Sequence, residues 1–323
     1  MPADAAAAAP GAAPLPPCPI TGEPAAELLQ SMPAKLLHDL WRLGARADPA
    51  PLRRDAGRIG LYRSPCGLAF FHPAFPGSAA FYASLYGRRG AHEAAGPLAA
   101  TREDFRAAAA LAHPGDRVLD VGCGHGAFAA LVPGARYQGL EPHGAPPPGG
   151  PPILAETAEA HALRHAGRYD LACAFQVLEH VADPRALAAA MAACLRPGGL
   201  LVLPMPIWPS PHTEMPNNLV NLPPPHLTWW TEGACRALCA ALGLEPLRVG
   251  PLPTYPLQAP LHWSLRLCPA RARPGDWLRP SWRWHLSAAA ALAAGSLMAR
   301  LFGLPRGAPP VDVLLVARKP PRG

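Results

Sequence analysis

The chain has 323 residues, 50% of them hydrophobic and 16% charged. That apolar share excludes a wholly disordered chain, and the length allows one large domain with additions or two small ones. The 45 Pro and 30 Gly exceed the roughly 12% of average usage, and they gather in definable stretches, as loops and linkers around a packed core do. Net charge is +7 and uneven: between His262 and Gly323 ten Arg or Lys face only Asp276 and Asp312. Such an end either favours anionic ligands and surfaces or is an Arg-biased solvated face.

Eight scattered cysteines, several inside apolar runs, suit reduced thiols better than a disulfide framework. The opening MPADAAAAAPGAAPLPP lacks a basic leader and is broken by Pro. A cytoplasmic setting is expected, with contact at the inner membrane face open to the basic region 262–323. No run reaches the ~18 apolar residues that span a bilayer. The longest, Leu286 to Ala299, lies between Arg283 and Arg300.

Residues 1–17 form an Ala/Pro-rich tail expected to be disordered. In the segment 18–90, AAELLQSMPAKLLHDLWRLG places Leu29, Leu36, Leu37, Leu40 and Trp41 near helical spacing. RIGLYRS and GLAFFHP then predict two strands around a turn at Pro65-Cys66-Gly67, and FYASLYG a short helix. From about 97 the pattern becomes regular. LAATREDFRAAAALAH predicts a helix with Thr101 as N-cap. RVLDVG predicts a buried strand, followed by a Gly-rich turn and a helix over HGAFAALV. ARYQGLE and PILAE predict the next strands, TAEAHALRHA a helix, and RYDLACAF a fourth strand. A helix from an Asp183 N-cap with Pro184 in its first turn stops at Arg196-Pro197-Gly198-Gly199. LLVLPMP, LEPLRVG and VDVLLVARK complete the strands, with a Thr231-capped helix before the sixth and a Pro/Arg/Trp-rich insertion, 251–310, before the last. Strands alternating with helices imply an α/β fold with a mostly parallel sheet, whose ligands sit beyond the carboxyl ends of the strands.

The first such turn reads Asp120-Val121-Gly122-Cys123-Gly124-His125-Gly126. Glycines at alternate positions let a ligand approach the backbone, and their spacing is not the dinucleotide G-x-G-x-x-G. The next strand ends in Glu141, where a carboxylate can accept hydrogen bonds from a ribose diol.

These residues, with YDLACAFQVLEHVADP (169–184), LRPGGLLVLPMP (195–206) and PPHLTWWTEGACRALCAALGLEP (224–246), resemble the class I S-adenosylmethionine-dependent methyltransferases, in the branch acting on small molecules. The resemblance covers roughly 97–250 and 311–318. It implies a Rossmann-like seven-stranded sheet with the last strand antiparallel, in a methyltransferase domain over 91–323. It places Asp120, Gly122, Cys123, Gly124 and Gly126 at the methionine end of S-adenosylmethionine, Glu141 on the ribose, and Thr157 and Ala158 near adenine. Phe175 and Gln176 would line the methionine end and the acceptor entrance. Some relatives with Glu at the position of Gln176 hold a divalent cation there together with the Glu-His pair; Gln is a poorer ligand for a hard cation, and no metal is expected.

The activated sulfonium methyl demands mainly positioning and water exclusion, with a base where a hydroxyl proton must leave. His180 and His226 are the candidates for that catalytic role, each against the reading of a structurally held histidine. Cys18-Pro19-Ile20-Thr21-Gly22 and Ser64-Pro65-Cys66-Gly67 look like two knuckles of a zinc ribbon, each short of one thiol. A metal-free remnant packing on the acceptor side is expected, because a structural zinc site needs four ligands. The insertion, with Trp263, Trp277, Trp282 and Trp284 among arginines, is expected to form a packed lid, the alternative being an interfacial helix. The acceptor is expected to be a small lipid-, quinone- or sugar-like molecule methylated on O or C. No nucleic acid is expected, since Phe175-Gln176-Val177-Leu178 is not an Asn/Asp-Pro-Pro-Tyr type element. A nicotinamide-dependent oxidoreductase is the alternative, and a non-catalytic cofactor-binding module a third reading.

Overall fold

The computed structural model describes residues 14–87, 99–143 and 148–321; of the tail 1–17 expected to be disordered, 1–13 lie outside them, whereas Pro16 O accepts from Ala25 N and Pro17 bridges Pro24. Its centre is a sheet of seven strands. These are β4 (Arg117–Val121), β5 (Arg136–Leu140), β6 (Ile153–Leu154), β7 (Tyr169–Cys173), β8 (Leu195–Pro206), β10 (Glu245–Pro251) and β11 (Asp312–Arg318), ordered β10-β11-β8-β7-β4-β5-β6. Neighbours from β8 to β6 run parallel, and β11 lies antiparallel to both β8 and β10. The α/β architecture with an antiparallel last strand is therefore the one expected.

The central strands β4, β7, β8 and β11 read as largely apolar runs because both faces are covered. Val118, Leu171, Cys173, Val202, Leu314 and Val316 pack on one side with Phe105 and Phe128. Leu119, Ala172, Leu201, Leu203, Leu315 and Ala317 pack on the other, against the helices Pro184–Cys194 and Glu232–Leu242. Two expected caps hold: Asp183 accepts from Ala186 N at 2.8 Å and Thr231 from Ala234 N at 3.1 Å. Three boundaries move. The helix after Thr101 covers only Glu103–Ala109, with Arg102 at its N-cap. HGAFAALV forms just a 3-10 turn, Ala127–Leu131. Arg196-Pro197-Gly198-Gly199 ends the helix but runs straight into β8, where Gly198 N and Lys319 N bond Lys319 O and Gly199 O.

The segment expected as one helix over 25–44 splits. Glu27–Pro33 is a strand, β1, and only Ala34–Asp39 is α-helical, followed by a π turn to Gly44. Pro33 cannot sit inside a helix, and β1 pairs antiparallel with β2 (Arg58–Arg63). β2 pairs with β3 (Ala69–His72) around Gly67, and β3 pairs with β9 (Thr228–Trp229), which arrives from the loop after β8. The N-terminal hairpin and the acceptor-side loop thus share one four-stranded sheet, order β1-β2-β3-β9. Its core gathers Trp41, Phe71, Phe81, Trp229 and Trp277. Trp41 Nε1 donates to Pro223 O at 2.8 Å and Gln30 Nε2 to Leu278 O at 2.8 Å, tying in both the loop and the insertion.

The insertion folds as two helices, Ala259–Leu267 and Trp282–Phe302. The second is not a packed lid: only Ala288, Ala291 and Gly295 are buried along its 21 residues. It is also long and apolar enough to cross a membrane by length and composition, its best 18-residue window having mean hydropathy 1.3. This departs from the expectation that no run qualifies, because alanines and leucines beyond the uninterrupted stretch count toward the window.

Candidate active site

The glycine turn leaves β4 beyond its carboxyl end. Gly122, Gly124 and Gly126 have φ of +68°, +55° and +74°, where a side chain costs about 1–2 kcal/mol. They do not all clear space for a ligand. A Cβ on Gly122 would lie 2.8 Å from Val177 Cγ2, and one on Gly126 2.5 Å from Pro151. Only the Gly124 position opens onto empty space, with nothing within 4 Å. Glu141, at the end of β5, clamps this loop: its Oε2 accepts from Gly124 N and its Oε1 from His143 N, both at 3.1 Å. An ionised carboxylate offers about four lone-pair sites, so two remain for a diol.

Asp120 lies beneath the turn, 1% exposed, and accepts from Tyr137 Oη at 2.8 Å. Burial pushes its carboxyl up to about 7, against the pull of Tyr137 and Arg102. It supports the loop from below rather than lining an open surface. Cys123 is also turned inward, its thiol raised to about 12 by burial and by Asp120, so it stays neutral. Thr157 spends its hydroxyl on the cap of the helix Ala158–His165, accepting from Ala160 N at 3.3 Å, and Ala158 is buried in the core.

Past β7, Gln176 holds φ of +59°, a conformation uncommon for a residue with a Cβ and typical of functional positions. Its Nε2 donates to Asp312 Oδ1 at 3.2 Å, while Gln258 Nε2 donates to Asp312 Oδ2 at 2.6 Å. Asp312 opens β11 opposite Pro206, and burial together with Asp104 pushes its carboxyl up to about 7. Phe175 packs edge-on to Phe105 at 4.5 Å and against Phe128 at 4.7 Å, with Arg102 stacked on Phe105 and its guanidinium bonded to Asp104. Sequence reasoning missed Asp104, Gln258 and Asp312: none carries a local motif, and each reaches the site only through the sheet order.

His180 and His226 do come together, ring centroids 5.0 Å apart. His180 Nδ1 is 2.5 Å from Pro225 O and His226 Nδ1 2.8 Å from Asn221 Oδ1. Both partners are acceptors, so each Nδ1 carries the proton and each neutral ring keeps its lone pair on Nε2. Burial lowers the pKa of both rings, which keeps them neutral at pH 7. Glu179 is wholly buried, and neither of its oxygens has a hydrogen-bond partner among the described residues. Its Oε1 stands 3.7 Å from His180 Nε2, and burial pushes its carboxyl well above the usual range. Glu179, His180 and His226 offer three ligand atoms within 4.8 Å of one another, a set that fits a divalent cation. The expectation of no metal weighed Gln176 beside Glu179 and His180; Gln176 turns to Asp312 instead, and the third ligand atom comes from His226.

The two half-knuckles also meet: Cys18 Sγ lies 3.9 Å from Cys66 Sγ, and Ser64 Oγ 3.2 Å from Cys66 Sγ. Their segment reaches the site through Tyr82, whose ring stands edge-on to His180 at 5.8 Å.

Residues 91–249 match the family model described as a methyltransferase domain. This stretch, just under half of the chain, is similar to a methyltransferase domain, for which S-adenosylmethionine is the expected cofactor. This sets aside the nicotinamide-dependent alternative. A 97-residue stretch is 39% identical to the ubiquinone biosynthesis O-methyltransferase of Escherichia coli, spanning 26% of this chain and 40% of that relative. Among solved structures, a SAM-dependent methyltransferase from Archaeoglobus fulgidus is similar at 14% identity and TM-score 0.48, over 72% of this chain and 99% of that one. The 1,6-didemethyltoxoflavin-N1-methyltransferase of Burkholderia thailandensis is similar at 18% identity and TM-score 0.46, over 81% and 95%.

The methyltransferase's own residues fit the cofactor. The Gly124 face is open, and Glu141 has lone pairs to spare on a loop that it already orders.

Proposed function

We propose that this methyltransferase moves a methyl group from S-adenosylmethionine to a hydroxyl of a small, largely apolar acceptor. The observation that carries this reading is the contact of Gly122 with Val177. Val177 directly precedes Leu178-Glu179-His180, so the cofactor loop and the imidazole pair are neighbours beyond the end of β7. When bound, S-adenosylmethionine supplies an electrophilic methyl on a cationic sulfur. Glu141 would hold the ribose, and the turn at Gly122–Gly124 the methionine end. Thr157 and Ala158, at the start of the helix after β6, would lie on the adenine side. Phe175, Phe105 and Tyr82 supply apolar walls that exclude water.

His180 is the side chain placed to accept the acceptor's proton. Its ring is 20% exposed, its Nε2 faces Glu179 Oε1 at 3.7 Å, and its Nδ1 proton is pinned by Pro225 O. His226, more deeply buried, orients from behind. Asp312, buried and bonded by Gln176 and Gln258, holds Gln176 in place past the end of β7. A hydroxyl acceptor matches the name of the ubiquinone biosynthesis O-methyltransferase relative, and a proton acceptor is needed for O- but not for every C-methylation.

Calorimetry tests the cofactor: S-adenosylmethionine should bind and NADH should not, and tighter NADH binding would overturn the reading. Incubation of methyl-labelled cofactor with a panel of phenolic and aliphatic alcohols tests the acceptor class. Label appearing only on carbon would refute hydroxyl transfer.

A further inference from the structure

We infer that the helix Trp282–Phe302, with its partner Ala259–Leu267, seats the protein on the surface of an anionic lipid bilayer. The longer helix, about 31 Å at 1.5 Å per residue, buries a single stripe, Ala288, Ala291 and Gly295. Gly295 allows that contact: a Cβ there would fall 2.3 Å from Ser264 Oγ and 2.8 Å from Pro260 O. At 100° per residue the opposite face carries Trp282, Leu286, Ala289, Ala293 and Leu297, with Leu301 alongside. Trp282 is 67% exposed, Leu286 60%, Leu297 57% and Leu301 64%. A continuous apolar face of this length, left to water, marks an interaction site.

Charge complementarity selects the occupant. Between residues 257 and 310 there are seven arginines and one acid, Asp276, and that acid is paired with Arg279. Exposed Arg283 and Arg300 stand near the two ends of the apolar face. Cations bordering an apolar stripe suit headgroup phosphates above acyl chains. A second copy of the chain would set arginine against arginine. The hairpin lies on the bilayer rather than across it: its nine-residue partner helix extends about 14 Å, against the ~30 Å of a hydrocarbon core. The placement also serves the site. Gln258, immediately before Ala259, holds Asp312, so an amphiphilic acceptor leaving the bilayer meets the acceptor end first. That use rests on the proposed function; the docking itself does not.

The test is flotation of the full-length protein, without cofactor, with phosphatidylcholine vesicles that do or do not contain about 30 mol% phosphatidylglycerol, at about 0.1 M and about 0.5 M salt. Partitioning at least tenfold higher on anionic vesicles and weakened by salt is expected. The double variant Leu286→Glu, Leu297→Glu should lose at least tenfold of that binding with an unchanged thermal midpoint, both side chains being exposed. Alkaline carbonate should release the protein. No preference for anionic vesicles, undiminished binding by the double variant, or resistance to carbonate would each overturn the inference. So would a dimer in sedimentation velocity that the double variant dissolves. Cofactor calorimetry on the same preparation reports separately on methyl transfer, so the two readings can fail independently.

Discussion

Exchange of Glu141 for Gln isolates the clamp on which cofactor binding depends. In the native protein the carboxylate accepts two backbone N–H bonds, from Gly124 and His143, each at 3.1 Å, and has room for a diol. Hydrogen bonds to a charged group contribute about 1.5–3 kcal/mol each. Gln keeps the shape but has a single acceptor oxygen and no charge. It therefore must give up one loop N–H or weaken the diol contact. Losing one charged hydrogen bond to the ligand predicts a dissociation constant for S-adenosylmethionine raised by about 10- to 150-fold. Glu141 is only partly buried, so the fold should lose no more than about 1 kcal/mol. Titration calorimetry with S-adenosylmethionine and S-adenosylhomocysteine, alongside a urea melt, separates the two effects. Both ligands should weaken in parallel, since they share the ribose. A change below about threefold in either constant, which is under 0.7 kcal/mol, would refute Glu141 as the ribose anchor.

Gly122→Ala should cost more than Gly124→Ala: both pay about 1–2 kcal/mol for a left-handed backbone, but only the first pushes a Cβ to 2.8 Å from Val177. Equal losses in a urea melt would contradict this division of roles. Asp120 and Asp312 each have a carboxyl raised to about 7 in the folded state, so the native protein binds more protons than the unfolded chain between about pH 4 and 7. Stability should fall as pH rises through that window, by up to about 4 kcal/mol per group, and Asp312→Asn should flatten the curve relative to wild type between about pH 4 and 7. His180→Ala should lower kcat by about 10²–10⁴ with little change in KM, and EDTA should leave the native rate unchanged. Loss of activity on chelation, restored by a divalent cation, would assign Glu179, His180 and His226 to a metal instead.

What lies within short windows was legible. The glycine spacing after 120, the caps at Asp183 and Thr231, and the apolar strands act through neighbours a few residues away, and they sufficed for the mostly parallel sheet and the cofactor turn; the antiparallel last strand followed from the family resemblance. The failures have a common cause. Glu27–Pro33 carries a leucine spacing close to helical, but pairing with Arg58–Arg63 decides its backbone. Asp312 reads as the first residue of a strand, and only the sheet order brings it onto Gln176, 136 positions earlier. His180 and His226 were each visible as single histidines; the orientation of their lone pairs came from Pro225 and Asn221, partners that no local pattern names. The alanine-rich helix could be read as lid or as interface until packing showed which face stays in water. Sequence therefore determined the framework and the cofactor side, where interactions are local, whereas the acceptor side, built from residues far apart along the chain, was decided by tertiary contacts alone.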